Sequence, residues 1–190
     1  MTVSEPQQLI ADSLIFGNIL ITRTGDTVTT RLESDESTTV TISRTGPRIR
    51  KNIPIGTRDP NFLTTRVNDR EIKVVPGSGK ILKRTYRIIV EDDDRILSFR
   101  PTGIDTCMFI KGKPHEIEKH FGDLTADVDG TIEVLWAVPQ HVKLVNKTVE
   151  PPEPTVEELL IGYALAAAFG TGALSLSSII MGLVSAALPG

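Results

Sequence analysis

Residues 155–190 read TVEELLIGYALAAAFGTGALSLSSIIMGLVSAALPG, and no charged side chain occurs after Glu158. A run of this length must be buried, in a bilayer or in protein, and what buries it decides the architecture. Thr155-Val156-Glu157-Glu158 opens it as a capping box: the threonine oxygen accepts a backbone N–H, Glu158 reaches back, and both glutamates suit the positive end of a helix. Gly170-Thr171-Gly172 falls in the middle, where each glycine costs a helix interior about 1 kcal/mol relative to alanine. The run is therefore one long helix or two, over 155–169 and 174–188, each roughly 22 Å long against a bilayer core of about 30 Å. Small residues recur every fourth position, as Gly162, Ala166 and Gly170 and then as Ser178, Gly182 and Ala186. Such a stripe lets a helix backbone approach its neighbour closely, in lipid or in protein. Three placements follow: a membrane anchor or inserted hairpin, a helix in the chain's own core, or a surface that buries against copies of itself in a homo-oligomer.

Ahead of this run lies Glu150-Pro151-Pro152-Glu153-Pro154, whose prolines predict a stiff spacer. Residues 1–149 are dominated by short β-branched runs separated by turn residues. Thr24-Gly25-Asp26 separates runs at 14–23 and 27–32, and residues 38–43 alternate threonine with Val40 and Ile42. Asn68-Asp69 and Asp92-Asp93-Asp94 read as hairpin tips, the second between a long strand at 81–91 and another at 95–100. Residues 106–111 predict a further strand and 114–120 a single helical turn. Residues 131–138 form a strand pairing with 142–145 or with a distant neighbour. The fold expected is mainly β, a sandwich or barrel of about nine to eleven strands followed by one or two apolar C-terminal helices. In this element order alone, with no accompanying motif, the chain resembles the tubby-like and phospholipid-scramblase-like folds. In those a β-barrel closes around an apolar C-terminal helix, so the resemblance implies the internal placement.

With 190 residues, 39% apolar and 24% charged, the chain can build one sizeable core, which excludes a disordered chain. The lone Cys107 makes no internal disulfide, and with His115, His120 and His141 it offers no zinc pattern. The N-terminus lacks the basic start of a secretory signal, so Asn146-Lys147-Thr148 reads as a chance match to a glycosylation site. Gly77-Ser78-Gly79-Lys80 lacks the remainder of a phosphate loop, with Val74 and Ile81 in the places that require glycine and Ser or Thr, and reads as a turn. Asp127-Val128-Asp129-Gly130 fails as a calcium loop because Trp136 stands at the closing acidic position. A Cys107–histidine pair is conceivable, but a cysteine in a strand-like run is more often a small buried hydrophobe. No catalytic, metal or cofactor residue is assigned, and the chain reads as non-enzymatic.

Charge is distributed unevenly. Residues 44–87 hold 12 Lys/Arg against three acids, and residues 91–158 hold 15 acids against seven Lys/Arg. The two blocks can pair across the fold, or the basic one can meet an anionic partner. Stacking aromatics in the basic block are few, Phe62 and Tyr86, which speaks against nucleic acid. The loop at 46–60 is expected to expose Arg48, Arg50, Lys51 and Arg58 toward anionic lipid, where each contributes about 1 kcal/mol and none is needed for stability. The functional expectation is a β-rich binding or scaffold domain tethered to a membrane by its C-terminal segment and folding without it. Lys143 and Lys147 before the apolar run place the β domain in the cytoplasm. Two alternatives stand beside it: a lipid- or ligand-binding barrel with the apolar segment as internal helix, and a membrane-inserting or self-assembling protein built on a glycine-interrupted hairpin.

Overall fold

The computed structural model describes residues 6–80, 82–127, 130–142 and 147–172. Eleven strands follow one another as an antiparallel meander: β1 (Gln7–Asp12), β2 (Asn18–Arg23), β3 (Thr27–Leu32), β4 (Thr39–Arg44), β5 (Leu63–Val67), β6 (Arg70–Pro76), β7 (Ile88–Asp92), β8 (Arg95–Pro101), β9 (Thr106–Ile110), β10 (His120–Ala126) and β11 (Ile132–Trp136). Each strand pairs with the next, and the sheet curls into a nearly closed barrel. The inward positions alternate, as period-two patterning requires: Val28, Thr30 and Leu32 of β3, Val40 and Ile42 of β4, and Ile88 and Val90 of β7 are buried. Where β1 meets β11 no ladder joins them among the described residues. Trp136 Nε1 donates to Ser13 O across that seam at 2.8 Å.

The helix α1 (Val156–Phe169) fills the barrel. Every apolar side chain in residues 159–169 is 3% exposed or less. A helix apolar on all sides needs a surround that is apolar on all sides, and a barrel interior supplies one. At residues 156–169, then, the apolar segment takes the placement in the chain's own core. Gly162 marks the closest approach: a Cβ there would lie 2.5 Å from the Phe109 ring and 3.1 Å from Leu124 Cδ1. Ala166 is fully buried, and Gly170 caps the helix with φ 79°, its N–H donating to Ala166 O. Ser178, Gly182 and Ala186, with the second helix expected at 174–188, lie outside the described residues. Among the described residues no helix is long and apolar enough to cross a membrane.

Polar contacts set the depth and direction of α1. Thr30 Oγ1 donates to Leu160 O at 2.9 Å and Tyr163 Oη to Asp12 O at 3.2 Å. At the helix start the capping box is complete, with Thr155 Oγ1 accepting from the Glu158 N–H and Glu158 Oε2 accepting from the Thr155 N–H. Lys111 Nζ then pairs with Glu158 Oε2 at 3.0 Å and donates to Glu153 O at 2.8 Å, so residues 150–154 run directly onto the barrel rim. Glu157 joins a clasp with Arg70 and Arg95, both of which also pair with the buried Asp92.

Two strand expectations shift. Within 81–91 the strand begins only at Ile88, because residues Lys83–Tyr86 form a 3-10 turn closed by Thr85 Oγ1 donating to Leu82 O. Strand β11 pairs back onto β10, Asp123 opposite Leu135, while β12 (Gln140–Val142) and β13 (Lys147–Val149) make a separate two-stranded ladder. The turn at 114–120 is the 3-10 segment Ile117–Lys119. Strand β1 was not anticipated.

Removing one buried leucine costs about 2–5 kcal/mol, so loss of α1 exceeds the roughly 5–15 kcal/mol net stability of a domain. A chain ending at Pro154 is expected to be molten or aggregated, and one ending at Gly172 to melt cooperatively with a β-type spectrum. Circular dichroism melts check both.

The clasp predicts a pH dependence. Burial opposes ionisation of Glu157, but its bonds from Arg95 and Arg70 outweigh that and hold its pKa below the ordinary glutamate value. A depressed carboxylate contributes stability that is fully present above the ordinary value of 4.5 and lost as pH falls through the lower folded value. Glu157→Gln should lower the urea midpoint at neutral pH and flatten its decline on acidification, when midpoints are compared across pH.

Candidate functional site

The described loop residues that close the C-terminal end of α1 are 24–26, 45–62, 77–80, 82–87, 102–105, 127 and 130–131. Residues 46–60 were expected as a loop exposing Arg48, Arg50, Lys51 and Arg58; Arg48 and Lys51 are exposed, whereas the structure corrects the other two, with Arg50 half-buried and Arg58 buried. Ile53, Ile55, Thr57 and Arg58 are buried, and the Ile55 N–H donates to Ala168 O at 3.0 Å. The last carbonyls of a helix have no partner within it, and this loop supplies one.

The loop is held by arginines that donate to backbone carbonyls. Arg44 binds Ile55 O at 2.9 Å, Gly46 O and Gly25 O. Arg48 reaches Gly25 O and Ile53 O, each at 3.3 Å, and Arg50 Nη1 donates to Gly79 O at 2.9 Å. Arg58, only 7% exposed, donates from Nε to Gly77 O at 2.7 Å and from Nη2 to Tyr86 O at 2.9 Å. Its guanidinium lies over the rings of Tyr86 and Phe169, 5.5 and 5.3 Å from their centroids. Burial pushes the Arg58 pKa down to about 10, with nearby Arg50 acting in the same direction, so the side chain stays a cation at neutral pH. Its position against the last turn of α1 places positive charge at the negative end of the helix dipole.

Arg50 and Arg58 therefore come together, joined through the Gly77-Ser78-Gly79 turn that each grips. Arg48 and Lys51 are exposed on the outside of the same loop. Sequence reading missed Arg44, Thr57 and Ser78 and the carbonyls of Gly77, Gly79 and Tyr86. Those partners lie up to 29 residues from the arginine they bind, and nothing local announces them. Among the described residues neither Arg50 nor Arg58 pairs with a carboxylate. A depression of about 250 Å³ opens beside them, lined by Ile49, Arg50, Thr57, Arg58, Asp59 and Ser78.

The two ends of the barrel differ in charge. The end just described also carries exposed Lys80, Lys83 and Arg84, which with the loop arginines outnumber its exposed Asp26, Asp105 and Asp127, whereas exposed Glu33, Asp35, Glu36, Asp93, Asp94 and Glu118 outnumber Lys113 and Lys119 at the far end beside the helix start. The arginine-rich end further exposes Ile49 (59%), Leu82 (52%) and Ile104 (58%). The chain reaches it through Thr171, whose Oγ1 accepts from the Ala126 N–H and donates to Asp105 O, and Gly172, whose N–H meets Cys107 Sγ at 3.1 Å. Gly172 has φ 78°, and a Cβ on it would lie 2.1 Å from Ile104 O, so only glycine fits. Cys107 is fully buried, and its thiol is pushed up to about 12 by burial, which suits packing rather than nucleophilic attack. Among the described residues no three His, Cys, Asp or Glu side chains gather as a metal site. No protein-family model, curated protein or solved structure gives a significant match to the chain.

Arg58 has a structural role that Lys51 lacks. Truncating it leaves two inward carbonyls unpaired at about 1–3 kcal/mol each, so Arg58→Ala should destabilise by at least about 2 kcal/mol. Lys51→Ser should stay within about 0.5 kcal/mol. Urea unfolding of the two variants checks the contrast.

Proposed function

We propose that the protein is a non-enzymatic binding or scaffold barrel that sits on an anionic membrane surface by its arginine-rich end, with residues 173–190 as the attached apolar segment. The observation that carries this reading is where the chain passes Gly172. It leaves α1 at the end of the barrel that gathers exposed cations and exposed Ile49, Leu82 and Ile104. Cations around an apolar rim suit the headgroup region, where the charges meet phosphate and the isoleucines and leucine meet acyl chains. The 18 charge-free residues after Gly172 would extend roughly 27 Å as a helix, close to the thickness of a bilayer core. Exposed Arg48, Lys51, Lys80, Lys83 and Arg84 would each add about 1 kcal/mol of attraction near such a surface. Anionic lipid on the cytoplasmic leaflet, together with Lys143 and Lys147, favours a cytoplasmic barrel.

The alternative of a ligand carried inside the barrel gains less support, because α1 occupies that interior. A homo-oligomer through Ser178, Gly182 and Ala186 remains compatible with membrane attachment, since small residues at that spacing pack helices in lipid.

Flotation of the full chain with vesicles tests the proposal. It should float with phosphatidylserine-containing vesicles more strongly than with neutral phosphatidylcholine. Replacing Lys51, Lys83 and Arg84 by serine should weaken the salt-sensitive part of that binding while the melting temperature changes little. A full chain that stays unbound to both kinds of vesicle at low salt would overturn the reading.

A further inference from the structure

We propose that Arg50 and Arg58, with the hydroxyls of Thr57 and Ser78, form a specific binding site for a phosphate monoester at the barrel mouth. The inference rests on the membrane-surface reading for its biological setting, but its chemistry stands on the pocket alone. The depression beside these residues has a volume of about 250 Å³. Pockets for drug-sized ligands begin at about 300 Å³, so this one suits a compact group.

The sign of the ligand follows from Arg58. A buried charge is costly unless it is paired, and Arg58, a residue only 7% exposed, has no carboxylate partner among the described residues. The groups that now face it are two carbonyl dipoles, two aromatic faces and the end of a helix dipole, none of which brings a whole negative charge. A second cation stands close by. A Cβ placed on Gly79 would lie 3.1 Å from Arg58 Nε and 3.2 Å from Arg50 Nη1, so both guanidinium groups crowd the same glycine. Two like charges in one partly buried place repel, and an anion between them converts that repulsion into attraction.

The class of anion follows from the donors. A guanidinium presents five N–H groups in a planar fork that matches the oxygens of phosphate, and Gly77 and Tyr86 take one each from Arg58. Ser78 adds an exposed hydroxyl, and Thr57 adds one that already accepts the Asp59 N–H at 3.0 Å. Asp59 is the one acid on the lining. Its Oδ1 accepts from the backbone and side-chain N–H groups of Asn61, each at 3.0 Å, which turns it toward the 3-10 segment Pro60–Phe62. A dianion held by two arginines tolerates one such neighbour at a cost in affinity, and Asp59→Asn keeps the cap while removing the charge.

The test uses the full chain and isothermal titration with inorganic phosphate against sodium chloride of equal ionic strength. Saturable one-site binding is expected, weakened at least about tenfold by Arg50→Ala. Lys51→Ala should leave it unchanged and Asp59→Asn should strengthen it severalfold. Arg50 is chosen because it is half-buried and makes a single bond to Gly79 O, and a melt within a few degrees of wild type shows that the variant folds. Weak non-saturable heat, or equal losses in the Arg50 and Lys51 variants, would overturn the site. Flotation then separates the sources, using vesicles of phosphatidic acid, a phosphomonoester, and of phosphatidylserine at matched surface charge. A preference for phosphatidic acid that Arg50→Ala abolishes assigns the site to a lipid headgroup. Phosphate binding without that preference assigns it to a free anion. Equal flotation with both vesicles and no phosphate binding overturns the pocket while the membrane-surface reading stands.

Discussion

An eleven-stranded meander that curls toward closure encloses more room than its own inward side chains fill, and α1 supplies the missing volume. This one packing relation governs the rest. The helix must be apolar on every face, hence the unbroken run from Leu159 to Phe169. One position must also bring the backbone against Phe109, hence Gly162. Because α1 follows all eleven strands in the sequence, the barrel lacks its core until the chain has reached residue 169. The sheet and α1 thus share one core.

The direction of the helix then polarises the molecule. Its start needs acids and receives Glu157 and Glu158, held by Arg70, Arg95 and Lys111. Its end needs donors and positive charge, and receives the Ile55 N–H and Arg58. The two charge blocks visible along the sequence therefore pair only in part across the fold. They also separate toward opposite ends, and the basic end keeps a surplus that the described carboxylates do not neutralise. Arginine suits that end better than lysine for a geometric reason. Loop carbonyls at Gly25, Ile53, Gly77 and Tyr86 come from three different connections, and a forked donor satisfies two at once, as Arg48 does with Gly25 O and Ile53 O and Arg58 with Gly77 O and Tyr86 O.

Much of the fold was legible because it depends on local chemistry. Thr24-Gly25-Asp26, Asn68-Asp69 and Asp92-Asp93-Asp94 mark real hairpins, and Asn68 and Asp93 adopt the positive φ that short polar turn residues tolerate. The capping box at Thr155 forms as written. Strand β1 escaped notice because Gln7-Gln8-Leu9-Ile10-Ala11-Asp12 has neither β-branched enrichment nor clean alternation, and its pairing with β2 alone defines it. The alternation before Ile88 suggested strand where Lys83–Tyr86 tightens into a 3-10 turn. Two questions could not be answered locally. An all-apolar helix reads the same in lipid and in a barrel, and only the strand count and curvature choose. The burial of Arg58 was equally hidden, because its partners are backbone carbonyls, which have no signature in sequence.

The geometry at Gly172 also changes how attachment to a surface would work. The prolines at 151, 152 and 154 suggested a standoff between a domain and its anchor, but residues 150–154 feed the far end of the barrel, where Lys111 holds Glu153 O. On the proposed reading, the segment after Gly172 departs instead from a point pinned by Thr171 to β10 and to the turn before β9. A surface that takes up that segment must therefore touch the barrel mouth itself. Close approach of this kind requires the mouth to be compatible with headgroups, and the exposed Ile49, Leu82 and Ile104 set among cations meet that requirement. The arginine loop closes the barrel over α1, and on the proposed reading the same loop also meets what lies against the mouth.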